Sequence, residues 1–207
     1  MAHGHEHGHG HGHGHKFRPE RAGRLHSAER DARQHWKPLL DLLDLKKITA
    51  VADVGAGTGY FAIPLAQALA GQGEVYALDT SAEMLAILRE RVGKIRNLHV
   101  IQTGEPKLPL NDASVGAVLL INMLHEFNDL KASLREVRRI LRPGGIVVVS
   151  DWKKIPTSEG PPLEVRFTED EARAALESAG FCSVTFHDLY PEHFTFTCLI
   201  AAENKSS

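Results

Sequence analysis

Three glycines at alternate positions follow a short apolar run that carries one carboxylate. The stretch from 50 to 61 places Gly55, Gly57 and Gly59 directly after Asp53 and Val54. Because glycine has no side chain, the backbone can turn tightly there and a ligand can press against its N–H groups. The pattern predicts a strand, a turn and the N-terminus of a helix, whose positive dipole end would face the same ligand. The stretch is therefore typical of a small-molecule site at the carboxyl end of a strand.

Two nucleotide cofactors suit this turn. Residues 57–62 read Gly-Thr-Gly-Tyr-Phe-Ala, which matches the G-x-G-x-x-G/A pattern of a dinucleotide site. Such sites also carry an acid about 20 residues further on. Asp79 ends the next apolar run, where its carboxylate could accept hydrogen bonds from ribose hydroxyls. These features alone keep an NAD-dependent oxidoreductase open as an interpretation.

Asp53 favours a cofactor other than a dinucleotide. A carboxylate beside the turn would repel a pyrophosphate, but it suits a ligand that carries an ammonium or sulfonium group. Residues 51–59, Val-Ala-Asp-Val-Gly-Ala-Gly-Thr-Gly, resemble the first motif of the class I S-adenosylmethionine-dependent methyltransferases. The resemblance covers roughly residues 36 to 202 and is strongest for the branch that includes the ubiquinone/menaquinone-biosynthesis C-methyltransferases. It implies S-adenosyl-L-methionine as the cofactor and methyl transfer as the reaction.

The expected cofactor contacts follow from this motif and from the next strand ends. Asp53 and the glycine turn would hold the methionine end, and Asp79 the ribose. Thr80 and Met84 could line the adenine. Members of the family usually present an acid to the adenine amino group, and Glu105 stands at that position. The expected cofactor-binding residues are Asp53, Gly55, Ala56, Gly57, Gly59, Asp79, Thr80, Met84, Gly104, Glu105 and Asn122.

The candidate catalytic residues come from the ends of two later strands. Residues 122–127 read Asn-Met-Leu-His-Glu-Phe, at a position that faces the transferred methyl group in the family. His125 could accept a proton at neutral pH, although a single histidine is more often structural. Asp151 ends the fifth strand at the same edge, where it could orient His125 or bind the substrate. The resemblance implies a small molecule or a quinone-like ring as the methyl acceptor.

Apolar runs alternate with amphipathic segments over most of the chain. The sequence predicts strands at 49–54, 74–79, 98–102, 115–121 and 146–150, and helices at 58–70, 81–93, 129–141 and after 168. This alternation is typical of a doubly wound α/β fold, with a parallel sheet covered on both faces. Near the end, two strand-like runs flank residues 190–193 with no helix between them, which predicts an antiparallel hairpin. A dinucleotide domain would add a parallel strand instead. The resemblance implies a Rossmann-like, seven-stranded sheet in the order 3-2-1-4-5-7-6.

The first residues of the chain cannot build a core. Residues 3–15 alternate histidine with glycine or glutamate, so residues 1–15 are expected to be a disordered tail. Its imidazoles would bind Ni²⁺, Zn²⁺ or Cu²⁺ without a role in catalysis. The tail keeps a third hypothesis open, a non-enzymatic metal-handling or sensor protein. Residues 16–47 are expected to form an N-terminal helical segment with a helix that starts at Ser27, and residues 48–203 the methyltransferase domain.

The composition excludes several other classes of protein. The 207 residues are 43% hydrophobic and 24% charged, as in one globular domain. A net charge of −2 without a basic cluster argues against a nucleic-acid partner. No apolar run approaches the ~20 residues of a membrane span, and no signal peptide is visible, which favours a cytoplasmic location. Cys182 and Cys198 are expected to be buried, reduced thiols. The oligomeric state stays open.

Overall fold

The computed structural model describes residues 27–200, and the histidine-rich tail lies outside them. Strands in this part of the chain are β1 (Ala50–Val54), β2 (Glu74–Asp79), β3 (Leu98–Gln102), β4 (Val115–Ile121), β5 (Leu141–Trp152), β6 (Cys182–Phe186) and β7 (His193–Leu199). They form one sheet in the order β3-β2-β1-β4-β5-β7-β6. Strands β1 to β5 pair in parallel, whereas β7 runs antiparallel to both β5 and β6. The fold class, the strand order and the terminal hairpin expected from the sequence are confirmed.

Helices cover both faces of the sheet. In the described region they are α1 (Ala28–Arg33), α2 (Trp36–Leu40), α3 (Ala62–Ala68), α4 (Ala82–Val92), α5 (Leu130–Ile140) and α6 (Glu169–Ser178). Alternate residues of the fully buried β4 belong to two separate apolar clusters. Helices α2, α3 and α4 contribute to one cluster, and α5 and α6 to the other. Between residues 27 and 200, none of these helices is long and apolar enough to cross a membrane.

Most boundaries of the strands and helices lie close to their predicted positions. Both β3 and β4 have the predicted bounds. Helix α3 begins at Ala62, four residues later than predicted, because residues 58–61 continue the glycine turn. Strand β5 begins at Leu141, directly after α5, and its register with β4 shifts between Val115 and Ala117. The Pro-Gly-Gly sequence after α5 therefore stops the helix, as predicted, and then bulges within an unexpectedly long strand.

The C-terminal hairpin corrects the expectation for the cysteines. Cys198 lies on β7, between two neighbouring strands, and is buried. Cys182 is the first residue of β6, the edge strand, and is exposed. An edge strand has no neighbour on one side, so its side chains are covered less completely. The expectation of burial is wrong for Cys182, although both thiols are free.

One arginine holds the connection between β5 and α6. Arg166 is buried, and its guanidinium donates to backbone carbonyls of this connection. The accepting oxygens belong to Pro161 at 2.8 Å, Ile155 at 2.9 Å, Glu159 at 3.1 Å and Lys153 at 3.4 Å. A single side chain thus satisfies carbonyls that have no partner in regular secondary structure.

Replacing Arg166 with methionine should lower the free energy of unfolding by about 2 kcal/mol, because the carbonyls of Pro161 and Ile155 would lose the guanidinium donor. Urea denaturation followed by circular dichroism measures this change. The control is Lys154→Met, which removes a partly exposed ion pair with Glu171 at 3.4 Å, and we expect it to cost less than about 0.5 kcal/mol. Equal losses in the two variants would show that water replaces the guanidinium without penalty.

Candidate functional site

The glycine turn lies between β1 and α3, with its amides hydrogen-bonded inside the protein. The N–H groups of Gly55 and Ala56 both donate to the carbonyl of Leu78, at 2.8 and 3.0 Å. The Gly59 N–H donates to the carbonyl of Ala56 at 2.9 Å. These hydrogen bonds fix the turn against β2. The N–H groups of Gly55, Ala56 and Gly59 are therefore not free to contact a ligand, as the glycine spacing had predicted they would be. The glycines therefore serve the shape of the turn.

Two of the glycines are required by close neighbours as well as by their backbone angles. Gly55 has a φ of +78°, and a Cβ there would lie 2.0 Å from the Sδ atom of Met123. Gly59 has a φ of +86°, and its Cβ would lie 2.3 Å from the Cδ1 atom of Leu88. Residues other than glycine rarely adopt these backbone angles. The turn is thus packed from both sides, and sequence reasoning did not find Met123.

Asp79 joins the turn to the start of α4. Its Oδ2 atom accepts the N–H of Gly57, and its Oδ1 atom accepts the N–H of Ser81, each at 2.8 Å. A carboxylate oxygen has two lone pairs, so each oxygen can accept more than one hydrogen bond. Asp79 can therefore hold the turn in place and still accept hydrogen bonds from ribose hydroxyls.

Asp53 is buried beneath the turn with an unsatisfied oxygen. Only 2% of the residue is exposed, and its Oδ2 atom has no hydrogen-bond partner. Burial, with a further contribution from the charge of Asp79, raises the pKa of Asp53 to about 7, and the hydrogen bond from the backbone amide of Ala62 opposes this shift. Buried charged groups are normally paired. A ligand cation at this position would supply the missing partner, so the residue fits the ammonium or sulfonium group of S-adenosylmethionine.

A cleft opens beside the turn, at the ends of β1, β2 and β3. The predicted cofactor residues that line it are Gly55, Asp79, Thr80, Gly104 and Glu105.

The remaining adenine candidates differ in their positions. Glu105 lines the cleft, and its Oε2 atom accepts the side-chain amide of Asn128 at 2.8 Å and the backbone N–H at 3.2 Å. Met84 is on the inner face of α4 and is buried with Leu85. The structure therefore places Glu105 at the cleft and Met84 on the covered face of α4.

A buried pair, His125 and Asp151, lies at the ends of β4 and β5. The Nδ1 atom of His125 is 2.7 Å from the Oδ1 atom of Asp151. Asp151 also accepts the backbone N–H groups of Leu124 at 2.8 Å and of Trp152 at 2.7 Å. A carboxylate only accepts hydrogen bonds, so Nδ1 must carry the proton and Nε2 is the titrating nitrogen. The geometry allows Asp151 to orient the imidazole.

The surroundings of His125 act on its pKa in opposite directions. Burial lowers the pKa, whereas the charge of Asp151, the hydrogen bond to it and the charge of Glu126 raise it. The net result is a pKa above the usual 6.5. The Nε2 atom is 3.9 Å from the Oε1 atom of Glu126, on the adjacent residue. The imidazole thus has a greater affinity for a proton than a free histidine has.

A glutamine from the N-terminal segment reaches the sheet edge at the carboxyl ends of β4 and β5. Gln34 follows α1 and is fully buried. Its Oε1 atom accepts the side-chain N–H of Asn122 at 2.9 Å, and its Nε2 atom donates to the hydroxyl of Ser150 at 3.0 Å. Asn122 has a φ of +58°, and its own Oδ1 atom is buried without a partner. Sequence reasoning missed Gln34, because helical spacing does not show which face of a short charged helix is buried.

The comparisons with known proteins agree with this geometry. A family model described as "Methyltransferase domain" matches residues 52–149. A solved structure of an S-adenosylmethionine-dependent methyltransferase from Aquifex aeolicus superposes with a TM-score of 0.84 at 30% identity. That match covers 90% of this chain and 100% of the Aquifex chain.

Two curated relatives match over shorter stretches. A demethylmenaquinone methyltransferase from Staphylococcus aureus is 32% identical over 112 residues, which are 54% of this chain and 46% of that enzyme. An uncharacterised 37.1 kDa protein of a Streptomyces fradiae transposon is 34% identical over 136 residues, 65% of this chain and 39% of that protein. The match thus spans less than half the length of either curated relative.

The parallel sheet with its antiparallel end hairpin and its glycine turn defines the class I methyltransferase fold. The chain belongs to the S-adenosylmethionine-dependent methyltransferases, and S-adenosylmethionine is the cofactor of this family.

Proposed function

We propose that this protein transfers a methyl group from S-adenosylmethionine to a small-molecule acceptor. The observation that carries the proposal is the unsatisfied carboxylate of Asp53 beneath the glycine turn, at the same sheet edge as the buried pair of His125 and Asp151. Family membership supports the cofactor, and the buried pair supports an acceptor that must lose a proton.

The proposed division of labour follows from the chemistry of the transfer. When bound, S-adenosylmethionine supplies an electrophilic methyl group on a sulfonium with a neutral leaving group. The protein must then align the acceptor with that methyl group and remove a proton where the acceptor carries one. We infer that Nε2 of His125 takes this proton, and that Asp151 fixes the ring and stabilises the charge that His125 acquires.

The acceptor class is an aromatic or quinol ring with an ionisable hydroxyl. The Staphylococcus aureus relative is named as a demethylmenaquinone methyltransferase, which makes this ring class the first to test. The connection from β5 to α6 presents Ile155 and Leu163 with 42% of each residue exposed, and apolar side chains suit a ring or its hydrocarbon substituent. Neither an NAD-dependent oxidoreductase nor a metal-handling protein finds support in the comparisons.

Calorimetric titration tests the cofactor assignment without an acceptor. We expect S-adenosylmethionine and S-adenosylhomocysteine to bind, NAD not to bind, and Asp79→Ala to weaken binding by about 1–3 kcal/mol, the effect of losing charged hydrogen bonds. The control is Asp112→Ala, which removes an exposed carboxylate paired with Arg139. Circular dichroism checks the fold of both variants, because Asp79 also supports the turn. Binding of NAD alone would overturn the proposal.

A further inference from the structure

Arg30 of α1 is a partly buried cation. Its Nε atom is buried and makes no hydrogen bond. The guanidinium lies 5.1 Å from the centre of the Tyr60 ring and 5.7 Å from that of Phe61. Among residues 27–200, no carboxylate forms a salt bridge with it. Arg33, on the same helix, differs, because its Nε atom is 3.0 Å from the Oε2 atom of Glu192.

The groups that face Arg30 do not neutralise it. They are two phenols, Tyr60 and Tyr190, the guanidinium of Arg33, and the imidazole of His193. Burial is the largest cause of a pKa of Arg30 lowered to about 10; the charge of Arg33 also lowers it, and Tyr60 and Tyr190 oppose the shift. Two aromatic rings offset only part of the cost of burying a guanidinium. Within residues 27–200 this partly buried cation therefore lacks an acidic partner, and an anionic ligand would complete the ion pair.

The position of Arg30 indicates which anion this is. Tyr60 and Phe61 directly follow Gly59, the last glycine of the turn. Asp53, whose Oδ2 atom is also without a partner, interacts with the backbone amide of the next residue, Ala62. An unsatisfied cation and an unsatisfied carboxylate thus contact one three-residue segment. Opposite charges of this kind complement the carboxylate and the ammonium of an α-amino acid.

We propose that Arg30 binds the α-carboxylate at the methionine end of S-adenosylmethionine, opposite Asp53 on the ammonium side. The inference rests on the proposed function, since it assigns a further residue to the same cofactor. Gln34 supports this role, because its hydrogen bonds to Asn122 and Ser150 fix the end of α1 on the sheet edge. The N-terminal segment is then part of the cofactor site.

The test compares two ligands that differ only in the carboxylate. S-adenosylhomocysteine and its decarboxylated analogue, S-adenosyl-3-thiopropylamine, are titrated by calorimetry into wild type, Arg30→Gln and Arg33→Gln. We expect Arg30→Gln to lower the affinity for S-adenosylhomocysteine by roughly 10- to 100-fold, the usual effect of a lost charged hydrogen bond. The affinity for the decarboxylated analogue should stay within about twofold, because no partner for Arg30 is lost. Arg33→Gln, whose arginine already has a partner, should change neither affinity.

Two results would overturn the inference. If Arg30→Gln weakened the binding of both ligands equally, Arg30 would act only through the packing of α1. If the binding of both ligands were unchanged, another group would bind the carboxylate. Arg30→Lys keeps a cation, so it should retain preference for the carboxylate ligand even if the glutamine variant folds poorly. If wild type binds S-adenosylhomocysteine and Arg30→Gln has no selective effect, only this inference fails. If wild type does not bind it at all, the proposed function fails as well.

Discussion

Replacing Asp151 with alanine is expected to destabilise the domain by about 3–5 kcal/mol, as removal of one partner from a buried ion pair typically does. Only 1% of Asp151 is exposed. Its carboxylate accepts the backbone N–H groups of Leu124 and Trp152 and the Nδ1–H of His125. Alanine would leave all three donors buried without an acceptor, which adds their desolvation penalties. Chemical denaturation at neutral pH measures the loss, with Asp112→Ala as the control for an exposed carboxylate.

The variant Asp151→Asn removes the charge and one of the two accepting oxygens, so the pH dependence of its stability, not the absolute loss, reports the charge. The pKa of His125 is raised above its usual 6.5 in the folded protein. The ion pair therefore contributes its full stability below about pH 6.5, and this contribution is lost as the pH rises through the folded pKa. The stability gap between wild type and Asp151→Asn should be larger at pH 6 than at pH 9. A gap that does not change with pH would show that His125 stays neutral in the pair.

Gly55→Ala should lower the free energy of unfolding by about 2–4 kcal/mol and weaken cofactor binding. A left-handed backbone angle costs roughly 1–2 kcal/mol for a residue with a Cβ. The added methyl group would also overlap Met123, whose Sδ atom would be 2.0 Å away, and overpacking typically costs a further ~1–3 kcal/mol. Denaturation and titration with S-adenosylhomocysteine measure the two effects.

Gly71→Ala is a matched control for the backbone term. Gly71 has a φ of +75°, close to that of Gly55, but a Cβ there would meet nothing within 4 Å. The difference between the losses in unfolding free energy of the two variants gives the cost of packing the added methyl group against Met123. Adding Met123→Ala to Gly55→Ala should recover part of that term and none of the backbone cost, as a double-mutant cycle would show. If Gly55→Ala and Gly71→Ala cost the same, Met123 simply moves aside.

The sequence was sufficient to bound two of the strands. Strand β4 could be bounded to the residue because it is a continuous apolar run with polar residues on both sides. Strand β3 carries the exposed His99 and is only partly buried, and its bounds followed from the polar residues that flank its apolar positions. The start of α3 could not, because the tertiary contacts of the turn, not local propensity, decide where helical angles begin. Cys182 was misjudged for a related reason, since strand-like composition does not distinguish an edge strand from a central one.

The candidate site was predictable to the extent that it follows from topology. The carboxyl ends of parallel strands meet at one edge, so residues that end β1, β2, β4 and β5 could be grouped before their positions were known. Gln34 could not be assigned in this way, because its partners Ser150 and Asn122 lie 116 and 88 positions away. Arg30 and Met123 were missed likewise. Such contacts depend on where α1 packs, and its short charged sequence does not encode that.

The placement of β7 has a consequence for the order of events during translation. The ribosome releases β6 before β7, yet β7 is the strand that lies between β5 and β6. Until β7 emerges, β6 has no partner and the backbone of β5 is open along one side, where a nascent chain is prone to aggregate. Phe194 and Phe196, both almost fully buried, belong to β7 and therefore join the core only after β7 has left the ribosome. We expect folding on the ribosome to finish after this segment clears the exit tunnel.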